Sequence, residues 1–219
     1  MAKGVQHEFE TFWRRIGAQG DAVPVFELLR TRYSGKHRAY HNLKHVADCL
    51  AEFDAIRGRC ENANAVEFAL WFHDVVYDPR AKDNEEQSAA LAKRICGNVK
   101  LPPAFAELVG DLILATKHAA EPVGNDAKTI VDVDLSILGR SEAVFDKYER
   151  NIRAEYTWVP ESQFRSGRTA ILKGFLARQR IFSTAHFYEK YETVARRNLT
   201  RSLQKLESGA RTLSKRAKS

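Results

Sequence analysis

The sequence is poor in cysteine: it holds three among 219 residues, and their spacing forms neither a metal-finger motif nor a disulfide framework. An odd, scattered set such as Cys49, Cys60 and Cys96 is typical of reduced thiols in a cytoplasmic protein. No run approaches the roughly 18 consecutive apolar residues that a membrane-spanning helix needs, and residues 1–10 lack the apolar centre of a signal peptide. We therefore expect a cytoplasmic protein with no membrane partner.

A charge of one sign is also missing from most of the chain. The formal net charge is +7, but eight of the 35 basic residues and one of the 28 acidic residues lie from Arg196 onward, which leaves 27 of each in residues 1–195. A neutral body with a basic, serine-rich end is typical of a solvated terminus and argues against a nucleic-acid partner. Length and a 44% apolar content predict one domain over 1–207, followed by a basic, disordered tail over 208–219.

Alternating patterns typical of β-strands are likewise missing. Residues 130–133 could form a short strand, but no other segment offers it a partner. Apolar residues recur at helical spacing instead, which predicts an all-α fold. Asn42 and Asn84 are placed to cap two of the helices, and Gly97 to end the second of these. The predicted helices cover 8–16, 23–33, 43–56, 64–76, 85–96, 102–119, 129–138, 142–158, 161–182 and 185–206.

A His-Asp pair, His73 and Asp74, lies inside the apolar run 71–76. Burying an imidazole beside a carboxylate is unfavourable unless a partner compensates both groups, and a divalent cation does so because both groups are metal ligands. His45 upstream and Asp134 downstream have similarly apolar surroundings. Two imidazoles and two carboxylates with open positions suit a divalent Mn, Fe, Zn, Ni or Mg ion better than a closed structural zinc site. A bound cation lowers the pKa of its water, which indicates hydrolysis.

The order of these four residues, H…HD…D, resembles the signature of the HD superfamily of metal-dependent phosphohydrolases. Two local stretches, 40–45 (Tyr-His-Asn-Leu-Lys-His) and 134–136 (Asp-Leu-Ser), are similar to segments of the class I cyclic nucleotide phosphodiesterases. Nearly the whole chain resembles a bacterial family of HD phosphohydrolases known only by prediction, through further motifs at 84–89, 153–156, 167–168 and 195–199.

The resemblance implies an all-α, HD-domain helical bundle in which a divalent metal ion is held by His45, His73, Asp74 and Asp134. His41 would be the general acid that protonates the leaving oxygen, which suits the pKa of about 6.5 of an ordinary imidazole. The predicted catalytic residues are His41, Asp74, Glu85 and His118. For Glu85 the alternative is a first-turn helix acid, and for His118 a favourable cation at a helix end.

Substrate phosphate is predicted to meet guanidinium and ammonium groups, because these match its oxygens. Each candidate could equally be a salt-bridge partner. The candidates are Arg38, Lys117, Arg153 and Arg168.

Two departures from the resembled families narrow the expectation. The glutamine-aromatic clamp of the phosphodiesterases has no counterpart, so cyclic nucleotides are not expected as substrates. Dinuclear relatives supply two further histidines before the last aspartate, whereas this chain has His118 alone, so we expect one tightly bound metal ion.

The predicted function is hydrolysis of a small phosphorylated metabolite or nucleotide by a metal-activated water. One alternative is a non-catalytic sensor with an HD fold that binds a nucleotide or a metal ion. Another is a di-iron oxygenase, which would need more histidine ligands than the chain offers. No feature of the sequence defines an oligomeric state.

Overall fold

The computed structural model describes the backbone of residues 2–216 and the side chains of residues 4–208. In this part of the chain there are α-helices and two 3-10 helices (Arg57–Arg59 and Ser136–Gly139) but no strand, so the predicted all-α fold class is confirmed. Residues 130–133 are helical. The α-helices are α1 (Ala2–Arg15), α2 (Ala22–Tyr33), α3 (Leu43–Asp54), α4 (Ala63–Phe72), α5 (Asn84–Asn98), α6 (Pro103–Ala115), α7 (Asn125–Leu135), α8 (Glu142–Glu155), α9 (Glu161–Ala177) and α10 (Ala185–Arg216).

The helices fall into two compact units, Met1–Asp134 and Leu135–Ser219. No composition change in the sequence marks this division, and the prediction of a single domain over 1–207 stays a prediction. All of the candidate metal ligands belong to the first unit.

Helix α4 is the centre of the first unit. Its residues 65–72 are all buried, and a helix that is buried on every side must be surrounded by other elements. The Phe9 ring of α1 meets the Trp71 ring edge-on at 5.1 Å between centroids, and the Phe12 and Phe68 rings lie 6.1 Å apart. These aromatic contacts hold in place the helix that leads into the His-Asp pair.

Helix α4 ends at Phe72, earlier than the predicted end at residue 76, so His73 and Asp74 follow the helix instead of lying within it. His73 still has helical backbone angles, and the backbone N–H of Val75 donates to the carbonyl of Phe72 in a turn. The apolar pattern continues to residue 76 because this turn is also packed inside the protein. Periodicity alone therefore could not locate the end of the helix.

The prediction that Asn84 caps α5 is wrong: Asn84 is the first residue of the helix, and Asp83 is at the cap position. Its side chain instead accepts from the backbone N–H of Asp78 and donates to the Asp78 carbonyl, both at 2.9 Å. The helix also continues past Gly97 to Asn98. Asn42, in contrast, caps α3 as predicted: its side-chain oxygen accepts from the backbone N–H of Lys44 at 2.9 Å.

In the second unit, Gly139 lies where no side chain fits. A Cβ atom added there would be 2.4 Å from Cβ of Tyr191 and 2.7 Å from its ring. We expect Gly139→Ala to lower the free energy of unfolding by about 1–3 kcal/mol, because the overpacked contact forces α10 and the 3-10 helix apart. Chemical denaturation followed by circular dichroism would measure the loss.

Gly167, in the interior of α9, is the matched control, since an added Cβ atom meets nothing within 4 Å. There alanine should raise stability by roughly 0.5–1 kcal/mol through its helix propensity. Equal effects of the two alanine substitutions would contradict the packing argument.

Helix α10 continues to Arg216, into the segment 208–219 for which a disordered tail was predicted. Side chains after Ser208 and residues 217–219 lie outside the described part of the structure, so the nature of this segment stays a prediction. Among the described helices, none combines the length and the apolar character needed to cross a membrane.

Candidate metal centre

Four side chains from three separate segments meet at one point of the first unit. His45 lies in the first turn of α3, His73 and Asp74 follow α4, and Asp134 lies near the end of α7. The Nε2 atoms of His45 and His73 are 3.1 Å apart. Oδ2 of Asp74 is 3.1 Å from Nε2 of His73 and 3.5 Å from that of His45, and Oδ1 of Asp134 is 3.7 Å and 3.2 Å from the same two atoms.

These separations fit a shared cation. Two ligand atoms about 2.1 Å from one metal ion lie about 3.0 Å apart at a right angle and about 3.4 Å apart at the tetrahedral angle. The five measured distances run from 3.1 to 3.7 Å. A modest contraction would therefore bring the two nitrogens, and each carboxylate oxygen with them, to the separations of a shared coordination sphere.

The ring of His73 is held in the orientation and tautomer that a metal ligand needs. Its Nδ1 atom lies 2.9 Å from the carbonyl oxygen of Leu70. A carbonyl can only accept a hydrogen bond, so Nδ1 carries the proton and donates it, which leaves the lone pair of Nε2 directed at the cluster when the ring is neutral. The hydrogen bond also satisfies one of the last carbonyls of α4.

The cluster is electrostatically suited to a positive charge. Burial opposes ionisation of Asp134, but hydrogen bonds from His118, His45 and His73 outweigh it and hold the pKa of this carboxyl well below its usual range. Burial likewise opposes ionisation of Asp74, and the charges of His73 and His41 lower its pKa. Burial disfavours the charged form of His73, yet the two carboxylates raise its pKa well above the ordinary value. The two carboxylates thus favour positive charge at this position, which a divalent cation would supply.

One edge of the cluster is open to solvent. The imidazole side chains are almost fully buried, 3% exposed for His45 and 1% for His73, whereas the carboxylate side chains of Asp74 and Asp134 are each 18% exposed. A cation here would be held from the protein side by nitrogen and would face water on the carboxylate side. That is the arrangement of a site with open coordination positions.

Cys49 also belongs to this cluster, and it was missed because it was read from the sequence as an ordinary reduced thiol. Ligand atoms of His45, Cys49, His73 and Asp134 all lie within 4.8 Å of one another and could hold a metal ion. The sequence does contain a signal for this contact: Cys49 is four residues after His45, so both side chains lie on the same face of α3. Its Sγ is nearly equidistant from Nδ1 and Nε2 of His45, at 3.7 and 3.8 Å, and so lies beside the ring. Burial first, then the nearby carboxylates, raises the pKa of this thiol well above its ordinary value.

His118 contacts the outer oxygen of Asp134. Its Nε2 lies 3.1 Å from Oδ2 of Asp134, while Oδ1 faces the two buried imidazoles. His118 adopts a left-handed backbone conformation, with φ of 55°, after the end of α6. This conformation is uncommon for a residue with a side chain, and here it aims the imidazole at the carboxylate. This contact favours a role of His118 at the site over the alternative of a cation at a helix end.

His41 lies next to the cluster, in the segment before α3. Its ring stacks on Tyr77 with centroids 4.2 Å apart, and its centroid is 6.1 Å from that of His45. His41 is also close enough to Asp74 for its charge to lower the pKa of that carboxyl.

The predicted phosphate contact at Lys117 lies in acidic surroundings. Lys117 pairs with Glu86 and donates to the carbonyl of Lys82 at 3.0 Å. The hydrogen bond to Glu86, opposed by burial and helped by the charges of Glu86 and Glu85, raises the pKa of Lys117. A cavity of about 670 Å³ beside it is also lined by Asp111 and Asp126. Glu85, predicted to be catalytic, interacts electrostatically with Lys117.

The predicted phosphate contacts at Arg153 and Arg168 lie in the second unit, where both are engaged by protein groups. Arg153 donates to Glu161 at 2.9 Å and to the carbonyl of Tyr156 at 2.6 Å. Arg168 is buried and pairs with Glu149. The salt-bridge alternative considered for both residues therefore has direct contacts in its favour.

Comparison of the chain with protein-family models, curated proteins and solved structures gives no match. The resemblance to the HD superfamily consequently rests on the motif residues. The evidence that bears on function is the geometry and chemistry of the cluster.

Proposed function

We propose that this protein is a metal-dependent phosphohydrolase of the HD type that acts on a small phosphorylated metabolite or nucleotide. One observation carries the proposal: two buried imidazoles and two part-exposed carboxylates converge, with the imidazole nitrogens 3.1–3.7 Å from each other and from the carboxylate oxygens. Such a group of buried polar side chains is costly unless a partner compensates it, and a divalent cation would compensate all of them.

The residues that would hold the ion are His45, His73, Asp74 and Asp134. Two neutral nitrogens and two carboxylate oxygens suit Mn, Fe, Zn, Ni or Mg. When bound, such an ion lowers the pKa of water and offsets negative charge on phosphoryl oxygens. The charges of Asp74 and Asp134 balance those of the divalent ion, and His118 holds the second oxygen of Asp134 in place.

Hydrolysis forms a bond between a water oxygen and phosphorus and breaks the bond between phosphorus and the leaving oxygen. The attacking water releases a proton to solvent, and the leaving oxygen must gain one. His41 is proposed to donate it, since an imidazole exchanges protons near neutral pH. The ring then recovers a proton from solvent. The stack on Tyr77 restrains the plane of the His41 ring, and His41 is close enough to Asp74 for its charge to lower the pKa of that carboxyl.

A cytoplasmic location is part of the proposal. Cys49, Cys60 and Cys96 are all free, and two of them are buried. Unpaired, buried thiols are typical of proteins in a reducing compartment. In the second unit, basic side chains of α10 such as Arg201 are paired with acidic residues, which supports the expectation that nucleic acid is not the partner.

The test is phosphate release by the purified protein. Metal should be stripped with a chelator and restored as Mn²⁺, Ni²⁺, Co²⁺, Zn²⁺ or Mg²⁺, against a panel of mononucleotides, dinucleotides and sugar phosphates. We expect activity to disappear with the metal, to return with at least one ion, and to parallel binding of about one ion per chain. Saturable binding of a nucleotide without turnover across the panel would favour the sensor alternative. Two irons per chain with oxygen consumption would favour the oxygenase.

A further inference from the structure

Arg38 joins two segments that both belong to the proposed site. The side chain is buried, and its Nη1 atom donates to the backbone carbonyl of His41 at 2.9 Å and to that of Asp74 at 2.7 Å. Its Nη2 atom donates to the carbonyl of Val75 at 3.2 Å. One guanidinium therefore fixes the backbone of the proposed proton donor and the backbone of a proposed metal ligand.

The carbonyls of Asp74 and Val75 need donors because α4 ends just before them. The last carbonyls of a helix lack partners within the helix, and here two of them receive side-chain donors. Leu70 receives the ring N–H of His73, and Trp71 receives the hydroxyl of Tyr33 at 3.0 Å. In the turn that follows, Arg38 donates to the carbonyls of Asp74 and Val75, so the conformation of the turn that carries Asp74 depends on this guanidinium.

Aromatic rings hold Arg38 and extend its effect to the imidazole of His41. The guanidinium carbon lies 5.2 Å from the ring centroid of Tyr33 and 5.4 Å from that of Tyr77. Tyr77 in turn stacks on His41. Arg38 is thus linked to His41 twice, through its backbone carbonyl and through the Tyr77 ring.

We infer that Arg38 is a positioning residue, which sets the Asp74 carboxylate and the His41 imidazole relative to each other, in place of the phosphate contact predicted from the sequence. A planar fork with two terminal nitrogens can bridge three carbonyls on two segments, whereas a lysine ammonium is a single point charge. The inference rests on the proposed function, because it assumes that Asp74 binds a metal ion and that His41 acts beside it.

Two variants test the inference, with Co²⁺ alone as the probe. Arg38→Met keeps the apolar stem and removes every donor, and Arg38→Lys keeps one donor group and the charge. Loss of a group that supports a metal ligand typically lowers metal affinity about 10–100-fold. We expect Arg38→Met to weaken Co²⁺ binding by that factor and to change the visible absorption of bound Co²⁺, with Arg38→Lys in between. The lysine variant also serves if the methionine variant fails to fold.

Arg196 provides the matched control. Its guanidinium donates to three backbone carbonyls of the second unit, Leu176 at 3.1 Å, Arg178 at 2.8 Å and Gln179 at 3.0 Å. Arg196→Met should lower thermal stability much as Arg38→Met does, yet leave Co²⁺ affinity and absorption unchanged. This separates an effect on the site from a general loss of an arginine that binds carbonyls.

The outcomes separate the two proposals. If the wild-type protein binds Co²⁺ and both Arg38 variants bind it with wild-type affinity and absorption, the positioning role is overturned while the metal site stands. If the wild-type protein itself fails to bind Co²⁺, the proposed function fails, and the inference fails with it.

Discussion

Replacing Asp74 with alanine is expected to lower phosphate release by on the order of 10³-fold or more and to abolish tight metal binding. A cation that polarises a phosphoryl oxygen stabilises the transition state by several kcal/mol, and each 1.36 kcal/mol of activation free energy corresponds to about a tenfold change in rate. Oδ2 of Asp74 lies 3.1 and 3.5 Å from the two imidazole nitrogens, so the substitution removes one of the four proposed ligands. Steady-state phosphate release and metal titration would measure both effects.

Thermal unfolding tests the role of Asp74 in metal binding without requiring a known substrate. A ligand that binds only the folded state stabilises it by about 2.7 kcal/mol at 100 times its Kd. Added Mn²⁺ or Co²⁺ should therefore raise the Tm of the wild-type protein and leave that of Asp74→Ala nearly unchanged. Metal-dependent stabilisation of the variant equal to that of the wild type would contradict the proposed ligand set.

Asp48 supplies the control for this experiment. It is an exposed carboxylate on α3 that pairs with Lys44 one helical turn away, at 2.6 Å. Exposed pairs of this kind contribute little to stability. Asp48→Ala should therefore keep wild-type activity, metal affinity and metal-induced stabilisation. That result would show that losing a carboxylate close to His45 in sequence does not by itself abolish metal binding.

The candidate ligands could be found from the sequence because polar residues inside apolar runs are costly and therefore informative. His73 and Asp74 stand out for this reason, and Asn42 revealed the start of α3 because N-caps have a strong residue preference. The helical spacing also predicted the fold class, although it extended α4 beyond Phe72. A buried turn and a buried helix share the same apolar composition, so composition does not separate them.

Features that depend on tertiary contacts left no such signal. Arg38 was predicted to contact phosphate because guanidinium groups match phosphate oxygens. Its hydrogen bonds to three backbone carbonyls could not be predicted, because they depend on segments that meet only in the folded protein. The left-handed conformation of His118 carries no local signature either. Cys49 is different, because its spacing from His45 is visible in the sequence and places both residues on one face of α3. A single thiol near imidazoles and carboxylates nevertheless does not form a known metal-binding motif, so the sequence prediction left it out of the site.

The second large effect is expected at His41, and it should depend on the leaving group. General acid catalysis typically contributes about 10²–10⁴-fold to a rate. His41→Gln should lower kcat by that factor for alkyl phosphates, whose leaving oxygen needs a proton. The loss should be much smaller for p-nitrophenyl phosphate, because nitrophenolate leaves without being protonated. Rate measurements on both substrates would test this difference.

His37 makes the control for His41 specific, because both rings stack on Tyr77. The His37 and Tyr77 rings are 11° from parallel with centroids 6.3 Å apart, and Nε2 of His37 lies 3.0 Å from the Tyr77 carbonyl. His37→Gln should therefore disturb the same tyrosine without removing the proton donor, and kcat should stay near the wild-type value for both substrates. If His41→Gln slowed both substrates equally while metal affinity was unchanged, His41 would act by orienting the phosphate group, and the proton would have to come from another residue.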